Sequence, residues 1–138
     1  LDVIGNQDSL RQTVAKLQSA GIQVSLFIDS ERGQIQAAAD IGAEMIELHT
    51  GTFALTTGKE HESEIRRLQS GADLGNSLGL RVNAGHGIHL DNIKDLFYVK
   101  NLKEFNIGHT LISRALIVGI RAAVKEMKAA MQEYPTTQ

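Results

Sequence analysis

Short apolar runs alternate along this chain with longer stretches in which apolar residues recur every three or four positions. Leu10, Val14 and Leu17 follow Asp8 and Ser9, which suit a helix cap, and Gly21 stands where a helix would stop, so a helix to about Ala20 is expected. Residues 22–28, IQVSLFI, are apolar and partly β-branched between Gly21 and Asp29, the pattern of a buried strand. Ser30 then suits the cap of a second helix with the stripe Ile35, Ala38, Ala39 and Ile41, closed by Gly42. The next strand spans residues 45–48 and runs into His49-Thr50-Gly51; residues 52–58 show no strong periodicity, and Thr56-Thr57-Gly58 read as loop. A long helix is expected over residues 60–78 from Ile65, Leu68, Ala72 and Leu78, although Gly71 and Gly75 weaken its pattern. RVNAGHGI, residues 81–88, reads as a strand ending in the turn Gly85-His86-Gly87. Asp91 suits the cap of a short helix through Leu96 and Tyr98, followed by a strand over residues 105–108. The last helix carries one continuous stripe from Leu111 through Leu116, Ile120 and Met127 to Met131, with Pro135 beyond its end.

The order is a helix and then four strand-helix units of roughly 20 to 35 residues. Strict alternation with nearly all-apolar strands predicts an α/β fold: a parallel sheet covered by helices. Two architectures fit, an open doubly wound sheet or part of a (β/α)8 TIM barrel; a complete barrel takes about 250 residues, so four units would make half of one. With 138 residues, 42% of them hydrophobic, and no low-complexity linker, residues 1–138 read as belonging to a single domain. A net charge of -2 and the lack of any lysine- or arginine-rich run exclude a nucleic-acid-binding field, which leaves small-molecule partners. No cysteine is present, which excludes disulfides and thiol nucleophiles and agrees with a cytoplasmic protein. No apolar run approaches the ~20 residues of a membrane span, and no signal sequence is read. The opening residues, LDVIG, read as the middle of something longer.

In either architecture ligands bind at the carboxyl ends of the strands. Those ends carry Asp29; Glu47, His49 and Thr50; Asn83 and His86; and Gly108 and His109. Glu47 alternates with Ile46 and Leu48 and so faces away from them; inside a barrel end it would need a cationic or hydrogen-bonding partner, and on an open surface it would be solvated. His86 between two glycines suits an acid-base role more than that of a loop histidine. Gly108-His109-Thr110 opens the last helix, where free N–H groups and the positive helix end suit either a phosphate or an ordinary cap. Asp29-Ser30 reads as a helix cap rather than a catalytic carboxylate, and His61 and His89 as surface residues. Imidazoles and carboxylates at separate strand ends can hold a metal, but no HxH or HExxH pair occurs and none is expected.

Three segments, VSLFIDSERGQIQAAADIGAEMIELHTG, RVNAGHGI and FNIGHTLISRA, resemble in order and spacing the carboxyl half of the pyridoxine 5'-phosphate synthase family. The resemblance runs from about Leu1 to Met131 and is weakest over residues 52–76, where Phe53 replaces an expected tyrosine. It implies a TIM barrel in a homo-octamer. The implied reaction condenses 1-deoxy-D-xylulose 5-phosphate with 3-amino-2-oxopropyl phosphate, closing a pyridine ring of vitamin B6 and releasing phosphate and water, without metal or organic cofactor. On that pattern His86 is the general acid that helps hydroxyl leave, Glu47 stabilises iminium-like transition states, and Gly87, Gly108 and His109 contact substrate phosphate. The family's remaining acid-base residues, a histidine and a glutamate, lie on early strands that this sequence does not contain. The chain is therefore expected to be a carboxyl-terminal fragment, inactive alone, with two open sheet edges and an uncovered apolar interior. The alternative is a non-catalytic half barrel serving as a phosphate-binding or assembly unit. An aldolase- or isomerase-like barrel acting on another sugar phosphate fits less well, because no lysine lies at a strand end.

Overall fold

The structure, a computed structural model, describes residues 1–135. Four parallel strands, β1 (Ser25–Ile28), β2 (Met45–His49), β3 (Arg81–Gly85) and β4 (Phe105–Asn106), form one sheet in the order β1-β2-β3-β4. Each strand pairs with its successor in sequence, so the order never reverses and no crevice of the doubly wound kind arises. Mixed α/β structure with a sequential parallel sheet is that of a partial TIM-barrel-like fold.

Period-two alternation divides the sheet into two chemically different faces. Leu26, Ile28, Ile46, Leu48, Val82 and Ala84 are buried on one face. Helices α2 (Arg32–Asp40) and α4 (Gly58–Ser77) pack there, joining Ile35, Ala38, Leu68 and Ala72 to the same core. In register on the other face stand Phe27 beside Glu47, Glu47 beside Asn83, and Gly85 beside Asn106. This open face is mainly polar, with Phe27 and Met45 as its large apolar residues, so the expected uncovered apolar interior is corrected.

Several local expectations also shift. Helix α1 (Gln7–Ser19) starts one residue before Asp8, with Asn6 at its cap position behind a short 3-10 turn, Ile4–Asn6. Strand β1 omits residues 22–24, because Ile22 is exposed and the Val24 N–H is taken by the Glu44 carboxylate at 3.2 Å. Ser30 caps nothing: its hydroxyl donates to the Arg67 carbonyl at 3.0 Å, tying the end of β1 to α4, while Glu31 precedes α2. The stretch without strong periodicity holds a short helix, α3 (Gly51–Leu55), with Phe53 fully buried, and the loop that follows it keeps Thr56 and Thr57, Gly58 opening α4. The helix expected after Asp91 is a 3-10 turn, Asp95–Tyr98, and the strand expected over residues 105–108 keeps two residues.

The single last helix is two. Gly119, with φ +84° and ψ 150°, separates α5 (His109–Val118) from α6 (Ile120–Met131), and Arg114 of α5 pairs with Glu126 of α6 at 2.8 Å. That backbone conformation favours glycine, so the apolar stripe that looked continuous is broken where the chain turns. Ala123 and Met127 are buried, whereas Ile112, Leu116, Ile117 and Ile120 remain exposed.

The glycines that weakened the α4 pattern are there for packing. A Cβ on Gly75 would lie 2.7 Å from Val82 Cγ2 and 3.1 Å from Ile46 Cδ1, so their absence lets the helix approach the sheet. Helix propensity alone would favour Gly75→Ala by about 1 kcal/mol, but overpacking costs roughly 1–3 kcal/mol. Gly75→Ala is therefore expected to lower the urea midpoint; a raised midpoint would show that α4 does not need this close approach.

Candidate active site

At the carboxyl ends of the strands lies a cleft of about 500 Å³ whose lining includes Glu47, His86, Gly87, Gly108 and His109. All five residues singled out from the sequence thus meet on one surface. They come from β2, from the turn after β3 and from the start of α5.

Glu47 is half-buried on the open face, and its carboxylate lies over Gly85, in the space where a side chain on that residue would stand. A neighbour without a side chain lets Glu47 reach across β3 to β4. There it accepts a hydrogen bond from Asn106 Nδ2 at 2.7 Å. Burial raises the Glu47 pKa above its ordinary value; the Asn106 bond opposes this, the nearby Glu104 charge adds to it, and His49 and His86 oppose it. Of the two alternatives for Glu47, the structure supplies the hydrogen-bonding partner.

His86 has φ +82° and the following Gly87 has φ +75°. Left-handed backbone costs a non-glycine residue roughly 1–3 kcal/mol and persists only where the surroundings hold it. Thr50, fully buried, supplies the hold: its N–H donates to Gly85 O at 2.9 Å, and its hydroxyl lies 2.7 Å from Gly85 O and 2.6 Å from His86 O. The imidazole is thereby turned out into the cleft.

Opposite, α5 opens at His109 after Gly108, and its first N–H groups have no intrahelical acceptor. Because Gly108, His109 and Thr110 line the cleft, the positive helix end borders it, an arrangement suited to an anion. Thr110 anchors this end through its hydroxyl, which donates to Ile88 O.

Sequence reasoning missed Asn106 and gave Thr50 no role. Asn106 could have been found from its place one residue before Ile107-Gly108-His109, where a polar side chain ends a strand. Thr50 carried no signal, since its partners are carbonyls 35 and 36 residues away. Two further expectations are corrected. Asp29 does not cap α2 but lies 3.4 Å from His49 Nδ1. His61 is no surface residue: its ring stacks on Phe53 at 4.6 Å and its nitrogens meet Phe53 O at 3.1 Å and Asp95 Oδ2 at 3.2 Å. His89 stays partly exposed, beside Asp91. Among the described residues no group of three or more His, Cys, Asp or Glu side chains is arranged to hold a metal ion.

Asn83 sits beside Glu47 in register and is buried. Its Nδ2 donates to Glu104 at 2.9 Å, and its Oδ1 is a buried side-chain oxygen without a partner among the described residues.

A sequential parallel sheet whose strand ends gather a carboxylate, an imidazole and a helix N-terminus around one cleft defines an α/β protein of the partial TIM-barrel-like kind. The chain belongs to the family described as pyridoxal phosphate biosynthesis protein PdxJ, whose model matches residues 1–133. It is 52% identical over 132 residues to a pyridoxine 5'-phosphate synthase of Akkermansia muciniphila, covering 95% of this chain and 54% of that protein. Proteins of the same name from Synechococcus sp. (strain WH7803) and Legionella pneumophila (strain Corby) are 46% and 45% identical, over 96% of this chain and 53% and 54% of theirs. The chain spans about half the length of these curated relatives.

Two outcomes follow from the cleft. Because Glu47 keeps its proton to higher pH in the folded protein than in the unfolded chain, its contribution to stability falls as pH rises from about its ordinary 4.5 through the raised folded value. Urea midpoints of parent and Glu47→Gln are thus expected to diverge in favour of the variant between about pH 4 and about pH 7; a gap that closes would reverse the sign assigned here. His86→Gly relieves the left-handed strain and is expected to unfold at the same or a higher urea concentration, whereas His86→Val should unfold earlier by roughly 1 kcal/mol or more.

Proposed function

We propose that this chain forms the carboxyl half of a (β/α)8 barrel, residues 1–138 belonging to one barrel domain, and that the whole protein is a pyridoxine 5'-phosphate synthase. It condenses 1-deoxy-D-xylulose 5-phosphate with 3-amino-2-oxopropyl phosphate in vitamin B6 biosynthesis. The observation that carries this reading is the meeting of Glu47, His86, Gly87, Gly108 and His109 in one cleft.

The chemistry assigned to each follows from its setting. Substrate phosphate sits on the N–H groups at Gly108 and His109, with the Gly87 backbone close by, where positive partial charge is already oriented. His86, on its turn, protonates the departing hydroxyl so that it leaves as water. Glu47, fixed by Asn106, stands opposite the positive charge that develops when the amine adds to the ketone and an iminium forms; a pre-oriented carboxylate stabilises that charge without reorganising at the moment of reaction. Condensation, dehydration and ring closure need no redox step, and the reading invokes no cofactor.

Closure into a barrel is supported by the unmet Asn83 oxygen on the open face and by β1 and β4 standing as edges. The exposed Ile112, Leu116, Ile117 and Ile120 support further packing against α5 and α6, in keeping with a cytoplasmic homo-octamer. The remaining acid-base groups come from the other half, so the 138-residue chain is inactive by itself. The unpaired edges also favour a second reading, a non-catalytic half barrel that binds phosphate and assembles with a partner.

Intact mass together with a turnover assay on both phosphates separates the readings. A mass well above 15.0 kDa with formation of pyridoxine 5'-phosphate is expected. A 15.0 kDa chain that dimerises and binds phosphate without turnover would favour the assembly unit, and full turnover by it would reject the division of the site between halves. In the full-length protein Glu47→Gln and His86→Asn are each expected to lower kcat by roughly 10²-fold or more; unchanged turnover would remove the corresponding role.

A further inference from the structure

The clamp from Thr50 fixes the backbone of His86 but leaves its ring free to rotate, and the ring stands on an exposed turn. An acid-base group must be oriented as well as present. Two strand ends supply what the clamp does not. The imidazole of His49, from the end of β2, lies with its centroid 4.9 Å from that of His86, the planes inclined at 54°. His49 is in turn set edge-on to Phe27 of β1, at 5.2 Å and 85°, and its Nδ1 lies 3.4 Å from Asp29 Oδ1 at the end of the same strand.

Gly51, the first residue of α3, makes room for the pair. A Cβ there would lie 2.6 Å from His49 Nε2 and 3.2 Å from His86 Cδ2, so both rings rest against a position that tolerates no side chain. This gives the HTG sequence a reason that phosphate contact and acid-base chemistry do not. His49 is two-thirds buried and does not line the cleft, whereas His86 does.

We infer that His49, braced by Asp29, is a positioning residue: it forms the wall that holds the His86 imidazole toward the cleft without touching substrate. The inference rests on the acid role proposed for His86. The Asp29 carboxylate, 3.4 Å from His49 Nδ1, attracts that edge of the ring and so biases its rotation, and Phe27 closes its other side. Loss of the wall leaves His86 in place along the chain but allows its ring more than one rotamer.

The test uses the full-length protein with His49→Ala, His49→Phe and Asp29→Ala, read by steady-state kinetics with both phosphates and by crystal structures. His49→Ala is expected to lower kcat about ten-fold with KM within about two-fold, because orientation rather than binding is lost. His49→Phe, which keeps a ring against His86, and Asp29→Ala, which keeps the ring but not its brace, should fall between parent and His49→Ala. In the His49→Ala crystal structure the His86 ring is expected in a new or divided position. The inference is overturned if His49→Ala keeps kcat within about two-fold of the parent, if KM rises while kcat holds, or if the His86 ring keeps its place in that structure. A parent inert toward both phosphates would sink the synthase reading instead, and the crystal structures would then decide the positioning role alone.

Discussion

The parallel register of β2 against β3 is the constraint on which the cleft depends. Pairing Glu47 with Asn83 and His49 with Gly85 puts a carboxylate two residues before the strand end and places the neighbouring strand's glycine where the carboxylate must cross. Thr50 then extends the ladder one residue past the strand, and its hydroxyl reaches the turn that carries His86. A slip of one residue would reverse every side chain between the faces, taking Glu47 into the helix-covered core and Ile46 and Leu48 out of it. The cost of that exchange protects the site as much as the fold.

Two kinds of charge management coexist around the cleft. Glu47 is made less acidic by burial and partly restored by one side-chain amide, a balance that leaves its charge sensitive to whatever enters. Across the cleft the start of α5 presents donors that belong to the backbone and carry no proton to lose, so that end keeps its polarity at any pH.

The face that carries this chemistry is unlike the core behind it. Helix-side positions are apolar throughout, and the opposing positions mix Glu47, Asn83, Arg81 and Asn106 with Phe27 and Met45. A polar sheet face with a buried amide oxygen that has no partner among the described residues differs from a surface designed for water. It also differs from an apolar interface. Both properties fit a wall of a site.

By itself the sequence determined the alternation of strands and helices, the parallel sheet, and which residues stand at the strand ends. These depend on short-range period and on glycine, both written in consecutive residues. The five candidates Glu47, His86, Gly87, Gly108 and His109 were singled out among the residues at those strand ends by the resemblance of three segments to the pyridoxine 5'-phosphate synthase family. Tertiary structure alone decided that Ser30 serves Arg67 rather than a helix cap, that Thr50 holds His86, that Asn106 holds Glu47, and that His61 is enclosed by Phe53 and Asp95. Each of those partners lies at least eight residues away. Where the last helix breaks was hidden differently: Gly119 interrupts a stripe that periodicity carries straight through, and only packing of α6 against α5 makes use of its freedom to turn.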